Sequence, residues 1–238
     1  MKVPAAILAL VFSACTREEV AQESDSARPD SAVVLVMVDS GAPKLLPRDE
    51  ANESFRQFRS EALRALASRD TAFLYGMVAP EIKNTFGGDD GIAGFRRLWK
   101  TDEPNSDVWT ALLRVLTMGG QQPSDSQFTA PYVYAFWPDP MDAFEHVAVI
   151  GDSVRVHDAP MANSRVLGGA QNSILKFREW RGLPASGVAA DTTWAKVLLP
   201  NADSGWIRGA SVYSPIGWRA MFVRRGGRWQ MIFLVRGD

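Results

Sequence analysis

Residues 146–160, His-Val-Ala-Val-Ile-Gly-Asp-Ser-Val-Arg-Val-His-Asp-Ala-Pro, decide how this chain is read. An aliphatic run enters Gly151-Asp152-Ser153, the pattern of a strand that delivers a serine nucleophile on a tight turn. The same letters also describe an ordinary strand, a turn and a second strand. A nucleophilic serine needs an imidazole within hydrogen-bond reach to take its proton. The last histidine of the chain is His157, four residues after Ser153. On a strand that spacing shares a face but separates the groups by about 13 Å. Ser153 therefore reads as structural, and no catalytic residue is assigned.

Two family resemblances bear on the stretch. The turn resembles that of GDSL-type lipases and esterases, but those place the serine near the N-terminus and an Asp-x-x-His pair near the C-terminus, whereas this turn lies mid-chain. From Val154 onward a different likeness runs without a gap. Val154, Val156, Pro160 and Val166-Leu167-Gly168 resemble the first segment of the bacterial SH3-like (SH3b) domain. Trp194-Ala195-Lys196-Val197 resembles its W-x-K-V strand, and Asn201 to Ile207 its turn and Gly-Trp strand, with Ser211-Val212-Tyr213 closing. The likeness covers residues 147–213 and implies a small barrel with alternating Val residues inside. Arg155 and His157 stand where the family usually has Asn and Arg, and Phe177 to Trp194 makes a longer loop than usual. The resemblance implies candidate loop contacts at Arg155, His157, Trp180 and Trp206, with core packing as the alternative for the two Trp residues.

At 238 residues, with 46% hydrophobic content and eight Trp, the chain can bury a sizeable core, and its net charge of -1 gives no reason to expect a nucleic-acid partner. The N-terminus reads Lys2, an apolar run from Val3 to Phe12, Ser13-Ala14, then Cys15, the only cysteine of the chain. This resembles a bacterial lipoprotein signal: residues 1–14 would be cleaved and Cys15 lipidated, with Phe12 in place of the usual Leu. The run is too short for the roughly 20 residues of a spanning helix. The alternative is a plain secretory signal with an incidental Cys. Residues 15–49, rich in Ser, Asp, Glu and Pro, read as a flexible tether. Within it Ala32 to Val38 is continuously apolar, either a short docked strand or a sticky part of the tether.

From Glu50 the period is helical. Phe55, Phe58, Ala62, Leu63 and Leu66 share one face; Asp70 caps a second helix running to Val78 and ended by Pro80; a third starts at Asp90; a fourth, capped near Ser106, stops at Gly119-Gly120. Tyr132 to Phe136 reads as a strand. Trp218, Ala220 and Phe222, then Arg225-Gly226-Gly227-Arg228, then Trp229, Met231, Phe233 and Val235 read as a terminal hairpin. The expected fold is α+β: a helical region, 50–140, packed on a sheet completed by the hairpin at 214–238, with an all-β SH3-like barrel inserted at 147–213. The helical and hairpin sequences resemble nuclear-transport-factor-like, cystatin-type cones. The whole chain resembles uncharacterised exported proteins that carry an SH3 domain.

Further motifs carry less. Phe86 to Gly91 lacks the Gly-Lys-Ser/Thr of a phosphate loop and the spaced ligands of a calcium loop, and neither His has a Cys or second His at ligand spacing, so no cofactor or metal is expected. Arg236-Gly237-Asp238 spells an adhesion tripeptide by coincidence. The Arg set at 208, 219, 224, 225, 228 and 236 reads as a solvated hairpin face. The leading expectation is a lipid-anchored, periplasm-facing envelope protein, on the outer membrane, that binds a cell-wall peptide or glycan or another envelope protein without catalysis. The rival is a cone domain that binds or transforms a small ligand, with Tyr75, Asp89, Asp90 and Tyr134 lining its pocket.

Overall fold

Asn52 starts the first helix. Its side chain accepts the backbone N–H of Phe55 at 2.9 Å, and α1 runs Glu53–Ala67 with Phe55, Ala62 and Leu66 buried. The computed structural model describes residues 35–237. Cys15, the expected signal peptide and the first part of the expected tether lie outside them. Asp70 caps α2, Thr71–Met77, through the N–H of Phe73 at 2.9 Å. Helices α3 (Gly91–Trp99), α4 (Val108–Thr117) and the single turn α5 (Tyr132–Ala135) complete the helical set. Behind α4, Gly119 has φ +72°, as the expected stop requires.

Among the described residues twelve strands make two sheets. They are β1 Val78–Lys83, β2 Gln121–Ser124, β3 Gln127–Ala130, β4 His146–Val149, β5 Val154–His157, β6 Val166–Ala170, β7 Ile174–Arg181, β8 Trp194–Leu198, β9 Ser204–Arg208, β10 Val212–Tyr213, β11 Arg219–Arg225 and β12 Arg228–Val235. Five lie in the order β1-β12-β11-β3-β2 and seven in the order β10-β4-β7-β8-β9-β5-β6. The protein is thus mixed α and β, with helices gathered in the first half and strands dominating the second. The seven-stranded sheet is open, with β10 and β6 at its edges.

Three local expectations are corrected. Tyr132 to Phe136 is not a strand: Pro131 ends the extended run, and the next four residues coil into α5, so the alternating aromatics only imitate a strand. Its place in the sheet is taken by β3, paired with β11 from Gln127↔Val223 to Ala130↔Ala220. The second helix ends at Met77, because the chain turns extended at Val78. Strand β1 then lies parallel to β12 at the sheet edge, where Pro80 has no ladder bond to donate. The long loop expected from Phe177 starts only at Gly182, since β7 continues to Arg181.

One core joins the helices to the five-stranded sheet. Phe55 stacks on Phe128 at 3.9 Å between ring centroids and meets Trp229 edge-on at 5.0 Å and Phe222 at 5.4 Å. Each such buried aromatic contributes about 1.5–3 kcal/mol by burial alone. A second core, with Val147, Val154, Val156, Ala195, Val197 and Ile207, fills one face of the seven-stranded sheet. A third is the seam between the halves: Tyr132 and Val133 of α5 pack with Ala148, Ile174, Tyr213 and Leu45.

The described end of the expected tether is docked on the β-rich half rather than loose. Val38 N–H donates to Gly169 O at 2.9 Å and Gly169 N–H to Val36 O at 2.8 Å, beside β6; Leu45 N–H donates to Asn172 O at 2.8 Å. Gly169 has no side chain to obstruct this approach, and Leu45 is buried. Asp39, 1% exposed, fixes the segment by accepting from Gln171 N–H at 2.9 Å and Lys44 Nζ at 2.8 Å. Burial by itself raises the Asp39 pKa, but these donors outweigh it and hold the carboxyl below its usual value. The carboxylate's contribution is therefore complete above the unfolded value of about 3.9 and is lost as pH falls through the lower folded value. Asp39→Asn should lower the urea midpoint at neutral pH and flatten the loss of stability between about pH 5 and pH 2. An unchanged acid slope would show that Asp39 does not carry it.

Candidate functional site

A cleft of about 380 Å³ opens where the two halves meet. Four elements build it. Helix α4 brings Arg114 and Ala111; β7 brings Trp180; β10 brings Val212 and Tyr213; and the turn into β11 brings Ile216 and Trp218. The loop between β7 and β8 crosses from the β-rich half as a strap. Its Val188 is buried in the core of the helical half. The Trp218 indole N–H donates to Ser186 O at 2.8 Å and Arg236 Nη2 donates to Ala185 O at 2.7 Å. On the other side of Trp218 and Arg236 lies a second cavity of about 280 Å³, walled by Asn84 and Trp99. The Trp99 and Trp218 rings stand 4.3 Å apart.

The cleft is cationic and aromatic. Arg114 Nη2 donates to the carbonyls of Gly209, Ala210 and Val212 at 2.8, 3.2 and 2.7 Å, tying α4 to the turn before β10. Its guanidinium lies 5.0 Å from the Tyr213 ring centroid, and that of Arg236 lies 5.7 Å from the Trp218 ring centroid. Burial pulls Arg114 below the usual guanidinium value, yet the group stays charged at any physiological pH. Burial pushes Tyr213 well above the usual phenol value, so its hydroxyl remains a donor, and it gives that proton to Trp218 O. No Asp or Glu is among the described lining residues.

The residues expected from sequence are dispersed. Arg155 is exposed on β5, on the face opposite Val154 and Val156. His157 is 5% exposed; Nδ1 lies 3.3 Å from Ser164 Oγ and the ring meets Trp194 edge-on at 5.2 Å, so it is a core residue and not a rim contact. Trp206 is buried beneath Lys196, whose Nζ lies 5.5 Å from the ring. Of the four, Trp180 alone lines the cleft. The expected cone lining does not converge either. Tyr75 hydrogen-bonds Thr101, Asp89 pairs with Arg97, Asp90 Oδ1 accepts Asn84 N–H at 3.1 Å, and Tyr134 is exposed with the Arg219 guanidinium 5.0 Å from its ring. The turn in the opening stretch is locked by Asn172: Gly151 N–H donates to its Oδ1 at 3.0 Å and its Nδ2 donates to Asp152 Oδ1 at 2.7 Å, while Ser153 is exposed. Among the described residues no three His, Cys, Asp or Glu side chains converge on a metal-sized site, and no helix is long and apolar enough to cross a membrane.

Sequence reasoning passed over Arg114, Tyr213, Trp218 and Arg236. An Arg near the end of an amphipathic helix reads as solvated, and Trp218 reads as sheet core. The one usable signal was the extra length between β7 and β8. That strap depends on Gly187, at φ +71°, where an added Cβ would stand 1.7 Å from Arg236 Nη1. Gly187→Ala should cost about 1–2 kcal/mol for the left-handed backbone and displace Arg236. Limited trypsin digestion should then cut at Arg181 faster than in the unaltered chain, and an equal rate would mean that the strap is held by other contacts. Comparison with protein-family models, with curated proteins and with solved structures finds no match, so the cleft is read from its own chemistry.

Proposed function

We propose that this chain is a lipid-anchored protein of the cell envelope that binds a ligand rather than transforming it, and that the cleft at the seam is its binding surface. The observation that carries the reading is the cleft itself: aromatic walls and two arginines converge there, brought together by elements from both halves. Concave, mostly apolar sites with a few convergent polar groups are where proteins hold small or extended ligands. In this reading the β-rich half is an SH3-like module. The sequence segments that resemble that family fall on β5, β6, β8, β9 and β10, which are neighbours in one sheet apart from β10, set at its far edge. The module's departure from the family, its long strap, is one of the parts that meet the helical half.

The ligand in this proposal is a cell-wall peptide or glycan fragment, or a segment of another envelope protein, presented in the periplasm to a domain tethered through Cys15. The rival, a cone domain acting on a small ligand, has a place in the groove of about 450 Å³ between α1, α2 and the β11–β12 hairpin. That groove holds Glu61 with Arg224 and Arg228, none of which the sequence reading chose as lining. The dispersal of Tyr75, Asp89, Asp90 and Tyr134 favours the binding reading.

Two measurements test it in cells. A photocrosslinker replacing Leu183 in the strap should capture an envelope peptide, glycan or protein that the same group at Arg155 does not capture, and isolated cell-wall sacculi or that partner should retain the full chain. Capture from neither position with no retention would remove the reading. Cys15→Ala should abolish incorporation of labelled palmitate and move the protein from the membrane fraction to the soluble fraction; continued labelling would place the lipid elsewhere.

A further inference from the structure

We infer that the seam cleft takes a small organic anion, its oxyanion on Arg114 and its flat apolar body against Trp180 and Trp218. This rests on the cleft being a ligand site and names the chemistry it selects. Arg114 is half-buried in a largely apolar cleft, and among the described residues no carboxylate pairs with it. A guanidinium drawn out of water needs its donors and its charge compensated. The three carbonyls of Gly209, Ala210 and Val212 all use Nη2, so Nε and Nη1 have no hydrogen-bond partner among the described residues. Nη1 lies on the Cδ side of the guanidinium and the Nε–H on the Nη2 side, so each can give a single charge-assisted hydrogen bond to an oxygen of a carboxylate or phosphate.

The remaining lining narrows the ligand further. Arg236 adds a second cation, and the lining has no Asp or Glu carboxylate to pair with an amine. The Tyr213 hydroxyl is committed to Trp218 O and the Trp218 indole to Ser186 O, so few groups remain to hydrogen-bond a polyhydroxylated sugar. Trp180, Trp218, Val188 and Ile216 offer surface for an apolar or aromatic body. A volume of about 380 Å³ suits a compact molecule, since small-molecule sites span about 300–1,000 Å³. Carboxylate and phosphate share the required chemistry, so the test separates them.

The full chain is titrated by calorimetry with 2-naphthoate, 2-naphthyl phosphate and the neutral 2-naphthamide. At least one anion should bind tenfold or more tightly than the amide, a difference of about 1.4 kcal/mol, and the better of the two identifies the favoured headgroup. Added sodium chloride should weaken the anions and spare the amide. Arg114→Gln should remove the preference; if that variant fails to fold, Arg236→Gln should reduce it, and the comparison of ligands on the unaltered chain stands by itself. Equal binding of amide and anions, or no binding of any of the three to the folded chain, overturns the inference. A chain that prefers anions yet is retained by no envelope material keeps this site and loses the envelope reading; retention without anion preference does the reverse.

Discussion

The apolar face of the first helix is closed over by the far end of the chain. Phe55 meets Phe58 of its own helix and then Phe128, Phe222 and Trp229 of the sheet, the last two within the terminal hairpin. Helix propensity adds too little to hold such a segment without tertiary packing. The helical core therefore closes only when β11 and β12 arrive, and everything between β3 and β11 must leave the helical half and return to it. The seven-stranded sheet is what the chain builds during that excursion.

A forced excursion creates a seam, and the seam has unusual chemistry. Three groups of contacts hold it: the α5 residues Tyr132 and Val133 against Ala148 and Ile174, the Arg114 guanidinium on the carbonyls before β10, and the strap that lays Val188 into the helical core. The second of these explains how a charged group comes to lie in a half-buried place. Its carbonyl partners satisfy hydrogen bonds on Nη2 but bring no formal negative charge, so the seam keeps a net positive field inside a low-dielectric cleft. The same arrangement that joins the halves thus defines what the cleft attracts.

Much of the fold was legible because it depends on periodicity and local capping. Asp70 and Gly119 mark their helix ends in the sequence, and the alternating residues from Trp218 to Val235 mark the hairpin. Where the reading missed, the strands were short or carried proline: the edge strands β1 and β2 contain Pro80 and Pro123, and β3, with Phe128 and Ala130 alternating, is only four residues long. The site was far less legible. Its residues come from α4, β7, β10 and the turn before β11, and no spacing along the chain announces that Arg114 and Trp218 will line one cavity. His157 misled for the opposite reason: its position in a resembling motif suggested a rim, while its partner across the strands, Trp206, and its neighbours Ser164 and Trp194 make that position interior.

The central claim is that the seam is a site for an organic anion, and the most direct measurement is a crystal structure of the full chain grown with 2-naphthoate. The account predicts a carboxylate oxygen within hydrogen-bond distance of Arg114 Nη1 or Nε, with the naphthalene ring lying against Trp180 and Trp218. A naphthoate bound elsewhere on the surface with the cleft unoccupied, or bound in the cleft with its carboxylate turned away from both Arg114 and Arg236, would contradict it.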